Sequence, residues 1–109
     1  MGGTGGRVSA YDDDALGRDD MVGLLERLAR REVSGDELRA AATARARAVN
    51  PRLNAVVRWV EEPPHGLAAD GAPLSGIPTV VKDNEALAGY ATSHGSLAVN
   101  SVPAEASSP

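Results

Sequence analysis

The sequence predicts an α/β chain in which two helices precede two short strands. Three observations carry that expectation. Met21, Leu24, Leu25 and Leu28 recur at i, i+3, i+4 and i+7, the spacing of one apolar helix face. Ser34-Gly35-Asp36-Glu37 spells S-x-x-E, the pattern in which a serine and a glutamate satisfy the free amides at a helix start. Two β-branched runs follow, L-N-A-V-V-R-W-V over 53–60 and I-P-T-V-V-K over 77–82.

Composition bounds what such a chain can be. At 109 residues it suffices for one small domain. Nineteen alanines supply much of the 42% hydrophobic content, only twenty-two residues are Val, Leu or Ile, and there is no Phe. A core built from so few large side chains predicts marginal stability. The net charge of −4 and the pI near 5.0 exclude the basic face of a general nucleic-acid binder. With no cysteine there is neither a disulfide framework nor a thiolate zinc site, and His65 and His94 are too isolated for a metal centre. No cofactor is expected. No run is apolar enough to span a bilayer, and the start does not resemble a signal peptide, so no membrane partner is expected and a cytoplasmic location is the default. Nothing in the sequence speaks to an oligomeric state.

Residues 1–15 read as a disordered Gly/Asp-rich leader. M-G-G-T-G-G has no strand before it to make a phosphate loop, and Asp12, Asp13 and Asp14 read as a solvated acidic patch. The first helix is expected from about Asp20 to Arg31, with Asp19 and Asp20 suited to its positive end and Arg30 and Arg31 to its negative one. The second should follow Ser34 and run to about Val49, stopped by Asn50 and Pro51. Its apolar positions, Leu38, Ala41, Ala42, Ala46 and Val49, make a flat face that allows close approach to a neighbour, while Arg39, Arg45 and Arg47 read as outward surface charge.

Residues 53–60 form the first expected strand, with Trp59 as its aromatic anchor. Residues 61–73, holding three prolines, read as a loop in which Glu61 and Glu62 are solvated charges. The second strand runs to Lys82, with Pro78 restricting it to an edge or to its first residues. Period-two alternation puts Val80 and Lys82 on one face, so a buried Val80 would carry the lysine toward a core, where its amine loses hydration. Asp83 and Asn84 then form a turn.

Lys82 is the only lysine; every other basic residue is arginine. Arginine keeps its proton at any useful pH, whereas a buried lysine can act as a base. On composition alone a lone lysine at a strand end reads as a solvated cap. Ser93, His94 and Ser96 suggest a serine–histidine unit, but no third orienting group is apparent in the sequence.

G-I-P-T-V-V-K-D-N over 76–84, followed by G-Y-A-T-S-H-G-S over 89–96, resembles the amidase signature family, serine amide hydrolases with a Ser/cis-Ser/Lys triad. Both segments, G-x-P-x-x-x-K-D and G-x-x-T-x-x-G-S, appear at matching separation. Upstream, R-R-E-V-S-G-D-E-L and N-P-R-L-N-A-V-V are similar to the family's N-terminal helices and the strand after them, so the likeness covers roughly Leu16 to Ser108.

The resemblance implies that Lys82 is the catalytic lysine, the base that acts through the cis-serine to activate the nucleophile. It implies a small-molecule amide substrate in the complete enzyme, cleaved to a carboxylate and ammonia or an amine. The implied fold is a mixed central sheet covered by helices, of which this chain holds a partial version: two N-terminal helices plus the first strands. Residues 16–109 are then expected to be the N-terminal fragment of an amidase domain, inactive alone. None of Ser93, Ser96, Ser101, Ser107 or Ser108 lies in the Gly/Ser-rich context that carries the family's nucleophile and cis-serine. The alternative from another class is a non-catalytic interaction or remnant module that docks onto a partner.

Overall fold

The computed structural model describes residues 6–60, 71–99 and 102–109. It contains two helices, α1 (Met21–Ala29) and α2 (Gly35–Leu53). Among the described residues there is no strand, only an isolated parallel bridge between Ala88 and Ala104. The expected α/β class is therefore corrected to a helical and irregular chain, and the first strands of a mixed sheet are not formed. A strand is defined by a ladder of hydrogen bonds to a neighbour, and β-branched composition supplies none of those partners. Leu53 instead closes α2, residues 54–60 are irregular, and residues 77–82 run without a facing strand among the described residues.

The described residues fall into two units, 6–56 with 71–78, and 57–60 with 79 onward. In the first, both helices start at the side chains their sequence supplies. Asp20 caps α1 by accepting from the Gly23 amide at 2.9 Å, and Ser34 caps α2 by accepting from the Glu37 amide at 3.1 Å. The Ser34 hydroxyl also donates to Glu37 Oε1 at 3.1 Å, so serine and glutamate meet through their side chains.

The end of α2 departs from expectation, because Pro51 lies inside the helix. Proline removes the amide that would return to the Arg47 carbonyl, yet its fixed φ remains helical and the chain continues to Leu53. Asn54 stops it by turning left-handed at φ 49°, with its amide bonded to the Asn50 carbonyl. The Asn50 side chain then gathers the exit: its Oδ1 accepts from the amides of Ala55 and Val56, both at 2.8 Å, and its Nδ2 donates to the Val56 carbonyl.

The core is small. Leu24, Val33 and Leu38 are buried together, with Ala15, Leu16, Leu28 and Ile77 packed against them, and Ala41 is the remaining buried hydrophobic among the described residues. Gly76, at φ 92°, brings the 76–78 segment onto this cluster. A Cβ built on Gly35 would stand 3.1 Å from Gly76 Cα, and one built on Gly76 would stand 3.3 Å from Leu28 Cδ1. Two glycines thus let backbone meet backbone at the start of α2.

Acidic residues before α1 also belong to this unit. Arg45 Nε and Nη2 reach the two oxygens of Asp14 at 2.7 and 2.5 Å, and Nη2 further donates to the Asp12 and Gly17 carbonyls. The Arg18 guanidinium lies 4.0 Å from the centre of the Tyr11 ring. Asp14 and Arg45, which the sequence suggests are solvated charges, form a fork with side chains 19% and 17% exposed.

Candidate functional site

The second unit contains the chemistry-bearing segments 82–85 and 92–96. Lys82 opens a turn in which its carbonyl accepts from the Glu85 amide at 3.0 Å, the turn expected from Asp83 and Asn84. Its side chain is exposed, and Val80 on the same period-two face is 87% exposed. The condition under which Val80 would carry the lysine toward a core, a buried Val80, is not met among the described residues.

Asp83 joins the two segments. Its Oδ1 accepts from the Ser93 amide at 2.9 Å, its Oδ2 accepts from the Ser93 hydroxyl, and its carbonyl accepts from the His94 amide at 3.0 Å. The Ser93 hydroxyl, followed by its amide, holds the Asp83 carboxyl below the ordinary carboxylate range, since both bonds favour the charged form. Thr92 Oγ1 donates to the Glu85 carbonyl at 3.3 Å, a second tie between the segments.

Residues 93–96 turn tightly. The Ser96 amide donates to the Ser93 carbonyl at 2.9 Å, with His94 and Gly95 both left-handed at φ 51° and 69°. Positive φ at both central positions is the mirror-image turn that glycine favours and that histidine tolerates better than most residues. The Ser93 hydroxyl donates its hydrogen bond to Asp83 and not to His94. Ser96 Oγ accepts from the Ala98 amide.

Beyond the turn, residues 102–108 return along 86–90. The amides of Ala86 and Ala88 donate to the hydroxyls of Ser108 and Ser107 at 2.9 and 3.0 Å, and Gly89 and Ala104 complete the contact through backbone bonds. The hydroxyls of Ser107 and Ser108 are thus committed as backbone partners. Glu61, Glu62, His65 and Ser101 lie outside the described residues. Among the described residues there is no cluster of three or more potential metal ligands, and no helix is long and apolar enough to cross a membrane.

Of the expected site residues, the structure leaves Lys82 at the surface and brings the K-D and T-S-H-G-S segments together through its neighbour. Asp83 was legible only as a turn former. The signal for more was a carboxylate ten residues before a serine in a tight Gly-containing turn, a pairing that local sequence patterns do not reveal.

Comparison with known proteins gives one relationship. Over 93 residues, covering 82% of this chain, it is 42% identical to proteins of Mycobacterium bovis and Mycobacterium tuberculosis named "Putative amidase AmiC". The Mycobacterium leprae protein of the same name is 38% identical over 94 residues. The chain spans 20% of the length of each of these relatives. No protein-family profile matches the chain, and no solved structure does.

Proposed function

We propose that this chain is the N-terminal portion of an amide hydrolase of the amidase signature type, with Lys82 as its catalytic base. The observation that carries the reading is the amidase-named relationship at 42% identity over a stretch long enough to include Lys82 wherever it begins. The G-x-P-x-x-x-K-D and G-x-x-T-x-x-G-S segments support it. In the complete cytoplasmic enzyme Lys82 accepts a proton through the cis-serine, and a serine outside this chain's hydroxyls attacks the amide carbonyl. The resulting acyl-enzyme is hydrolysed to a carboxylate, with ammonia or an amine released. The substrate is a small-molecule amide, and no cofactor takes part. Alone the chain is inactive.

A second reading, a non-catalytic module that docks onto a partner, is favoured by the exposure of large apolar residues in the second unit, Val80, Val81 and Leu97 among them. One experiment separates the two. The purified chain should release no ammonia from simple aliphatic or aromatic amides. A hybrid in which it replaces the matching segment of a mycobacterial relative should release it, and Lys82→Arg or Lys82→Met should lower kcat by about 10²–10⁴-fold. A folded hybrid that keeps full activity with Lys82→Arg would overturn the base assignment.

A further inference from the structure

We infer that Asp83 is the positioning residue of the Lys82 site, clasping the 93–96 turn beside the lysine through Ser93. The inference rests on the reading of Lys82 as the base and adds the residue that fixes it. A lysine side chain has four flexible carbons and, here, an exposed surface, so its own packing does not set where its amine can reach. What this chain can fix is the backbone from which the amine springs. Three hydrogen bonds from one residue do so: both carboxylate oxygens of Asp83 hold Ser93, and its carbonyl holds the next amide, that of His94.

On the other side of Asp83 the Lys82 carbonyl is closed onto Glu85, and Thr92 ties to Glu85 as well. The peptide linking Lys82 to Asp83 therefore lies between two anchored points. A carboxylate suits this role because it accepts from two donors at once in its charged form. An alanine offers neither bond. An asparagine can keep the bond from the Ser93 amide through its carbonyl oxygen, so it retains part of the clasp.

Because the chain has no cysteine, a nitroxide placed on Lys82→Cys labels one position cleanly. In the 109-residue chain it should broaden the amide resonances of Ser93, His94 and Gly95. Adding Asp83→Ala should weaken the broadening, without removing it, since an untethered stretch of this length still averages under about 20 Å end to end. Asp83→Asn should restore part of it, with unchanged α1 and α2 resonances showing that the helices persist. The Ser93 amide shift should follow a single protonation below the ordinary carboxylate range, absent in Asp83→Asn. Broadening of the same strength in Asp83→Ala, or a Ser93 amide that ignores acid, would overturn the clasp.

The hybrid enzyme supplies the kinetic arm. There Asp83→Ala should lower kcat by about 10²-fold, the scale of a misplaced reacting group, with KM little changed. An unchanged kcat would overturn the positioning role. Full activity in Lys82→Met would instead sink the base assignment, and the nitroxide result would still decide the clasp.

Discussion

At the scale of single residues, Asp14 is a tightly engaged charge among the described residues. The Arg45 side chain, bonded to both its oxygens, holds the Asp14 carboxyl down to about 2, with the Gly17 and Leu16 amides contributing in the same direction. Because the folded-state value lies below that of the unfolded chain, its contribution to stability is complete above the ordinary aspartate range and is lost as pH falls through about 2. Carboxyl-carbon titration should therefore find Asp14 still ionised at pH 3, and Arg45→Met should raise its titration toward the ordinary aspartate range, with the Gly17 and Leu16 amides still lowering it. An Asp14 that titrates normally in the unaltered chain would contradict the fork. No local pattern signals this pairing, because thirty-one positions separate the partners, with Asp12 and Asp13 beside one and Arg47 near the other.

At the scale of elements, what was legible and what was not divide along the range of the forces involved. The caps at Asp20 and Ser34 depend on residues three apart; the Ser34 cap could be read directly, whereas Asp20 was legible as charge suited to the helix start. The end of α2 could not, since Pro51 forbids one hydrogen bond without forbidding helical φ, and the true stop is the left-handed Asn54. The strand expectations at 53–60 and 77–82 failed for a further reason: sheet formation depends on a facing backbone that no local sequence encodes. Likewise Lys82 stood out as the lone lysine, whereas the Asp83 bridge required two segments to be folded together. Two substitutions test the element ends. Ser34→Ala should destabilise α2 by about 1 kcal/mol, read from the denaturation midpoint. Gly76→Ala should cost about 1–3 kcal/mol, because it adds left-handed strain at φ 92° to a crowded approach against Leu28. A neutral Gly76→Ala would mean that the 76–78 segment does not rest on the helices as described.

At the scale of the whole chain, the distribution of burial sets the order in which parts open. Leu24, Val33, Leu38 and Ala41 are the buried hydrophobics among the described residues, and all four belong to the first unit. The second unit is held by hydrogen bonds among turns and by hydroxyls on backbone amides, with Val80, Val81, Leu97 and Val102 exposed. Hydrogen bonds near solvent contribute little net stability, so segments that rely on them open at low cost, while opening the first unit requires exposing its core. Amide exchange should accordingly be slowest from Leu24 to Ala41 and fast at 86–90 and 102–108. Among the described residues Leu38 is the one side chain fully removed from solvent, and Leu38→Ala should cost about 2–5 kcal/mol, the range for emptying such a site. With four buried hydrophobics among the described residues the margin of stability is small, so this single change should abolish most of the helical circular dichroism at 25 °C. A Leu38→Ala chain that keeps its helical signal and its slow amides would show that the two helices are held by something other than the Leu24, Val33 and Leu38 cluster.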